Sequence, residues 1–254
     1  MLSYERQNQI LELLNENQSV TVNYLCRKLF ASGATIRRDL SEMEGKGLLT
    51  RVRGGAALIK GNNQDAPLFI RSQKNIDKKR IIAKLALSYI NDYDTIFMDS
   101  SSTITVLAGE LTLEDYKKLT IVTNGIATSN VLNESAHVKL ILCGGYVNNH
   151  SSTVGQLAID AFSNYRADKL FFSCCGFSLN AGITEASEDN AMVKRQMLKN
   201  AKQHILLCDS TKLGLEYFCK SCDFSDLDVI ITDELPNEEV MKRLPSTVQL
   251  IYPK

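Results

Sequence analysis

A small helical front closed by a hairpin, followed by a larger α/β body with a mainly parallel sheet, is the fold class this sequence predicts. Three observations predict it. Apolar positions recur at helical spacing through residues 5–46. After residue 75, short β-branched runs alternate with helical stretches, as strands joined by helical crossovers do. Between the two textures, residues 60–75 are polar and hold Gly61 and Pro67, the best domain boundary in the chain. The expected organisation is residues 1–59, a linker at 60–74, and a body at 75–254.

In the front, residues 5–16 place Ile10, Leu11, Leu13 and Leu14 on one helical face, and Asn15, Asn17 and Gln18 end the run. A second helix fits 22–29, with Thr21 as its N-cap. Phe30-Ala31-Ser32-Gly33 makes a tight break. A third helix runs from about Gly33 to Lys46, with Ser32 as N-cap and Gly47 as its stop. Residues 48–52 read as a strand, Gly54-Gly55 as a turn, and 56–59 as the return. Three helices and a small hairpin outline a winged helix-turn-helix.

Helical patterning resumes at 76–90. Strands are expected at 95–98, 119–122, 138–142, 169–172, 204–207, 229–231 and 248–251, and helices near 103–111, 125–134, 154–164, 187–201 and 237–243.

Composition narrows the function classes. The chain has 254 residues, 44% of them hydrophobic, which excludes a disordered or collagen-like polymer. No window approaches the ~20 apolar residues of a membrane span, and the N-terminus lacks the apolar core of a signal peptide. Seven cysteines, an odd number set mostly in apolar runs, fit a reduced, cytoplasmic chain. The zero net charge hides an asymmetry: residues 1–80 carry 14 Lys/Arg against 8 Asp/Glu, and the rest carry 15 against 21. A basic front on an acidic body suggests that the front meets a polyanion.

The sharpest local signal is Ala34-Thr35-Ile36-Arg37-Arg38-Asp39-Leu40 on the third helix. A recognition helix puts its N-terminal side chains into the DNA major groove. Ser32, Thr35, Arg37 and Arg38 occupy that end, while Ile36 and Leu40 can face a core. An arginine there can bond a guanine edge or hold a phosphate. Arg51 and Arg53 on the hairpin could add phosphate or minor-groove contacts. Helix spacing alone equally allows a solvated face on which the arginines pair with Asp39 or Glu42.

Thr35-Ile36-Arg37-Arg38-Asp39-Leu40, then Glu44, Gly47-Leu48-Leu49 and Arg51-Val52-Arg53-Gly54-Gly55-Ala56, resemble the N-terminal signature of the DeoR family of bacterial transcriptional regulators. So does the opening Glu5-Arg6 followed by Ile10-Leu11. A departure is Ala31, where that family often carries Val. The resemblance implies a double-stranded DNA operator as partner and a homo-oligomer, dimer or tetramer.

In the body, small-residue loops follow predicted strands, where an open parallel sheet binds its ligand. Asp99-Ser100-Ser101-Ser102-Thr103 offers hydroxyls and N–H groups at a strand-to-helix turn, which suit a phosphate; an ordinary capped turn would look the same. Asn124, then Gly144-Gly145, then Gly155, Gly176, Gly182 and Asp209-Ser210-Thr211-Lys212 follow. Their order is similar to the effector-sensing domain of the same family, which resembles ribose-5-phosphate isomerase-like folds. That resemblance implies a phosphorylated sugar as effector. It places Ser101, Ser102 and Thr103, with Ser100, on the phosphate, where the family often writes Gly-Thr-Thr. It puts Asn124, Gly144, Gly145 and Lys212 along the cleft, together with Glu185, Glu188 and Lys194.

The expected function is therefore a sequence-specific repressor of a sugar-metabolism operon, controlled by a phosphosugar. The competing reading is a phosphosugar isomerase with an accessory DNA-binding domain. Isomerisation needs a placed base. Alignment on Ala191 puts Ala186 and Arg195 where the related isomerases carry Lys and Glu, so no enzyme is expected. A third reading is a DNA-binding protein with a ligand-free oligomerisation body. No cofactor is expected. Cys219-x-x-Cys222 cannot alone close a four-ligand zinc site, His137, His150 and His204 share no motif, and a redox role for the cysteine pair stays open. Cys174-Cys175 is expected to pack at a strand end.

Overall fold

A computed structural model of the chain describes residues 2–45, 48–57, 68–114, 118–148 and 151–253. The helix stop expected at Gly47, the hairpin return at 58–59, the linker residues 60–67 and His150 lie outside the described residues. The chain divides into two compact units, Met1–Lys74 and Asn75–Lys254.

The first unit comprises α1 (Ser3–Asn17), β1 (Ser19–Thr21), α2 (Val22–Leu29), α3 (Gly33–Gly45), β2 (Thr50–Val52), β3 (Gly55–Ala57) and α4 (Leu68–Gln73). Ile10, Leu11 and Leu14 of α1, Leu25 and Leu29 of α2, and Ile36, Leu40 and Met43 of α3 bury one core with Leu49 and Ala56. The caps are those the sequence expects. Thr21 Oγ1 accepts the Tyr24 N–H at 3.1 Å, and Ser32 Oγ accepts the Thr35 N–H at 3.1 Å. The strand expected over 48–52 begins only at Thr50, because Leu49 turns into the core. An unexpected strand, β1, joins the hairpin to give the order β1-β3-β2. Gly55 permits that pairing: a Cβ there would sit 2.0 Å from the Val20 carbonyl oxygen.

The second unit opens with α5 (Ile76–Leu87), β4 (Thr95–Met98), α6 (Ser102–Leu111), β5 (Leu119–Thr123), α7 (Ile126–Leu132) and β6 (Val138–Leu142). A hairpin, β7 (Tyr146–Asn148) and β8 (Ser152–Val154), leads to α8 (Gln156–Ser163) and β9 (Ala167–Phe172). Then come β10 (Gly176–Ser178), β11 (Gly182–Glu185), α9 (Glu188–Asn200), β12 (Ala201–Leu207), β13 (Cys219–Cys222), β14 (Val229–Ile231), α10 (Glu238–Arg243) and β15 (Gln249–Ile251). The helix expected from 154 starts at Gln156, since Val154 belongs to β8 and is buried.

Seven strands form one sheet in the order β15-β14-β12-β9-β4-β5-β6, and all its pairings are parallel. Successive residues alternate between two cores, as a strand buried on both faces requires. Phe97, Leu170, Phe172, Leu206 and Ile230 face α8, α9 and α10. Ile96, Met98, Phe171, Ile205 and Ile231 face α5, α6 and α7. Phe97 and Phe162 meet edge to face, 5.2 Å between centroids. From β4 the chain winds outward through β5 and β6; from β9 it winds the other way through β12, β14 and β15. The strand order thus reverses between β4 and β9. Among the described residues no helix is long and apolar enough to cross a membrane.

Candidate functional site

On the first unit, α3 presents Arg37 and Arg38 to solvent. Asp39, 2% exposed, turns inward instead. It accepts Arg6 Nε at 2.5 Å and Arg6 Nη2 at 3.2 Å, and the Ser3 hydroxyl at 3.2 Å. The hydrogen bond to Asp39 raises the Arg6 pKa. This pair ties α1 to α3 and leaves Arg37 and Arg38 without Asp39 as a counter-ion. The Arg37 guanidinium folds over Gly33, where a Cβ would meet Nη1 at 3.3 Å. Ser32 and Thr35 hydrogen-bond through their hydroxyls at 2.9 Å. Arg51 joins the hairpin to α3, its N–H donating to Glu44 Oε1 at 2.8 Å and its Nη1 to Ser41 Oγ at 3.0 Å. Arg53 is exposed in the turn between β2 and β3.

On the second unit, polar side chains gather at the carboxyl ends of β4 and β9, where the strand order reverses. Asp99 ends β4 and Ser173 ends β9; both are buried. Ser173 connects three charged groups. Its N–H donates to Asp99 Oδ2 at 3.2 Å, its carbonyl accepts Lys194 Nζ at 2.6 Å, and its hydroxyl accepts Lys212 Nζ at 2.9 Å. Lys194, from α9, also pairs with Asp99 at 3.0 Å and with Glu185 of β11. Burial works against the Lys194 ammonium, but Asp99 and Glu185 outweigh it and raise its pKa. Burial likewise opposes the charge on Lys212, and Asp209, 3.5 Å away, outweighs it.

The β4–α6 turn is an N-cap in the ordinary sense and more. Ser101 Oγ accepts the Ile104 N–H at 3.4 Å, and the Ser101 N–H donates to Asp99 Oδ1 at 2.9 Å. Ser101 is thereby committed within the turn. The buried Thr103 hydroxyl has no partner among the described residues. Across the turn, Asn124 Nδ2 donates to the Thr153 carbonyl at 2.9 Å, while its buried Oδ1 has no described partner. Gly125 lets the two loops touch: a Cβ there would lie 3.0 Å from Ser100 Cα.

The residues singled out from sequence therefore fall into groups. Ser100 and Ser101 in the β4–α6 turn, Ser102 and Thr103 in the first turn of α6, and Asn124 after β5 lie on adjoining segments. Glu185 and Lys194 are joined in a buried pair, and Lys212 stands beside it through Ser173. Gly144 and Gly145 follow Cys143, whose carbonyl accepts the Thr153 hydroxyl at 2.6 Å. Glu188 is exposed in the first turn of α9, outside the buried cluster. Ser173 was not marked in the sequence; a serine closing an apolar strand is its only signal. Asp99 and Asp209 flank marked loops, and their position at strand ends could have found them.

Among the described residues no group of three or more His, Cys, Asp or Glu side chains could hold a metal ion. Cys219 and Cys222 lie buried on β13 as free thiols. Burial raises the Cys222 pKa and disfavours its reactive thiolate. Cys174 packs 3.7 Å from Cys208, sulfur to sulfur.

Both units of the chain match families of known proteins. Residues 6–62 match the DeoR-like helix-turn-helix domain, and residues 74–234 match the DeoR C terminal sensor domain. The chain is 35% identical to the HTH-type transcriptional regulator GolR of Listeria innocua, over 96% of this chain and 95% of that protein. It is 34% identical to the HTH-type transcriptional repressor GlcR of Bacillus subtilis, over 94% and 91%. It is 31% identical to the lactose phosphotransferase system repressor of Staphylococcus aureus, over 99% and 100%. Among solved structures, ribose 5-phosphate isomerase A of Methanocaldococcus jannaschii is similar with a TM-score of 0.41 and 16% identity, over 55% of each chain. For eIF2B delta from Chaetomium thermophilum the TM-score is 0.47 at 16% identity, over 64% of this chain and 58% of that one. With both of its domains matched and its relatives aligned along more than nine-tenths of its length, the chain belongs to the DeoR family of transcriptional regulators and is a DNA-binding regulator rather than an enzyme.

Proposed function

We propose that the protein represses genes for sugar uptake or breakdown and that a phosphorylated sugar, bound where β4 meets β9, sets its affinity for the operator. One observation carries the sugar reading. Two polar atoms without described partners, Thr103 Oγ1 in the first turn of α6 and Asn124 Oδ1 just after β5, are buried beside the point where the strand order reverses. Buried polar atoms are normally hydrogen-bonded, so such orphans ask for a partner, and an open parallel sheet binds ligands at this point. The chemistry fits a phosphosugar. Ser102 and the Thr103 hydroxyl sit in the first turn of α6, whose N-terminal field favours an anion. Lys212 supplies a cation, and Asn124 Oδ1 can accept from a sugar hydroxyl. Two relatives carry repressor names, one of them for a lactose phosphotransferase system. On the front, Arg37 and Arg38 read the major groove, with Ser32, Thr35, Arg51 and Arg53 on the backbone. A homo-oligomer presents two such helices to paired half-sites. Residues 1–59 and 75–254 act as the DNA-reading and sensing domains.

Pentose and hexose phosphates screened against the full chain test this reading. A ligand that binds only the native state raises the melting temperature. The active compound should also change the mobility shift of operator DNA. If no sugar phosphate alters either signal, the protein is not a phosphosugar-controlled regulator.

A further inference from the structure

The second unit begins with a residue in an unusual state. Asn75 is the N-cap of α5, yet its backbone is left-handed (φ 55°) and its side chain makes no cap bond. Asparagine at an N-cap ordinarily accepts a hydrogen bond from the first turn of its own helix, from an extended backbone. Here the Asn75 amide reaches across to another loop. Nδ2 donates to Asp209 Oδ1 at 3.3 Å and to Thr211 Oγ1 at 3.0 Å. One turn on, Lys78 Nζ donates to Ser210 Oγ at 2.6 Å and pairs with buried Asp233 at 2.6 Å. Asp233 in turn accepts the Ser210 N–H at 2.7 Å. The start of α5 is thus latched to the short turn Ser210–Lys212.

The same turn carries Lys212, and Asp209 just before it. Lys212 is shared between Ser173 and Asp209. An anion that takes Lys212 as a partner competes with Asp209 for it. Asp209 is also the acceptor for Asn75 and for the Thr211 hydroxyl at 2.5 Å. One carboxylate therefore feels both the sheet end and the first residue of the helix. Immediately before that residue in sequence comes Lys74, the last residue of the DNA-reading unit.

We propose that the bonds from Asn75 and Lys78 to the Asp209–Lys212 segment form a latch through which occupancy of the β4–β9 site reaches the start of α5, and so the segment leading to the DNA-binding unit. The element has two discrete arrangements. Latched, Asn75 is left-handed and bonded to the loop. Unlatched, Asn75 and the first turn of α5 are released from the loop. The ligand favours the first: as it draws Lys212 away, Asp209 loses a competing cation and holds the Asn75 amide more tightly; a ligand shifts such an equilibrium only by its differential affinity for the two states. This inference rests on the phosphosugar reading above.

The test uses the full chain and the variants Asn75→Gly and Lys78→Met. Glycine keeps the left-handed backbone without strain and removes only the amide. Inorganic phosphate and a panel of pentose and hexose phosphates serve as probes. Three readouts are taken: the ligand-induced rise in melting temperature, hydrogen exchange of the first turn of α5, and the ratio of operator affinities with and without ligand. In the unmodified chain, ligand should raise the melting temperature and slow exchange at α5. Both variants should still bind ligand, exchange quickly at α5 with or without it, and show an affinity ratio near 1. Coupling in allosteric proteins is typically about 5–150-fold, so the collapse is measurable. Ligand binding with no change at α5, or a full affinity ratio in Asn75→Gly, overturns the latch while the phosphosugar reading stands. If none of the probes binds the unmodified chain, both readings fail together.

Discussion

At the scale of the residue, Lys194 shows how burial and charge compete. It is 6% exposed and has two carboxylates as partners. Its folded pKa lies above its unfolded value of about 10.4. A raised cation stabilises fully below the unfolded pKa and loses that contribution only as pH rises through the folded one. Lys194 is therefore a constant charge across the neutral range, not a switch. Lys194→Met leaves Asp99 and Glu185 buried without their cation, at a cost of about 3–5 kcal/mol. Two buried carboxylates are then left without a cation, so the variant should melt below the parent at pH 8. Equal melting of variant and parent at pH 8 would remove the ion pair from the account. Arg37 and Arg38 are the opposite case, exposed and without Asp39 as a counter-ion. Arg37→Ala or Arg38→Ala should weaken operator binding. A base-reading arginine costs about 1–3 kcal/mol and relaxes specificity at one position; a phosphate contact weakens all sequences and lowers the salt slope by about 1. Anisotropy titrations at several salt concentrations separate these, and parental affinity in both variants would end the recognition role of α3.

At the scale of the element, legibility followed the run of apolar and β-branched residues rather than length. Residues 95–98, 138–142 and 229–231 read as strands at the bounds the structure shows, because each is an apolar or β-branched run in a parallel sheet. The strands β1, β7, β8, β10, β11 and β13 have three or four residues each. These runs mix in glycine, serine and other polar residues and carry no apolar pattern, and β1 and β13 find their partners in distant segments, β3 and β11. The site was legible to the same degree. The segments after the apolar strands β4 and β5 pointed to Thr103 and Asn124. The Glu185–Lys194 pair did not show, because it depends on β11 returning a carboxylate to α9. Buried Asn200, which ends α9, makes a further element-level contact. Its Nδ2 donates to the carbonyls of Phe162, Ser163 and Tyr165 at 2.8, 3.2 and 3.1 Å, completing the end of α8. Asn200→Leu should cost about 1–3 kcal/mol in urea unfolding, the penalty for orphaned carbonyls. Asn200→Asp should cost more, since it aims an acceptor at acceptors; an aspartate variant as stable as the parent would show that the amide donor is not what holds α8.

At the scale of the whole molecule, two units that fold around separate cores must exchange information for a regulator to respond. A single substitution can cut that exchange without harming either unit. Ser102 is the first residue of α6 and 7% exposed. Ser102→Asp places a carboxylate at a helix N-terminus, where the macrodipole favours it, so the fold should persist. It also places negative charge where the phosphate is proposed to sit. Like charges in one small cleft repel, and the hydroxyl donor is lost as well. The variant should melt near the parent yet show no thermal shift with the phosphosugar that shifts the parent. Operator binding should survive, because the exposed arginines of α3 belong to the other unit. The protein would then hold its DNA and ignore its effector, which for an inducer-released repressor means permanent repression. Ser102→Ala, which removes the hydroxyl but adds no charge, should bind the ligand more weakly and still respond at higher concentration. Mobility shifts with and without the sugar phosphate compare the two. A Ser102→Asp protein that responds at the parental effector concentration would put the phosphate somewhere other than the first turn of α6.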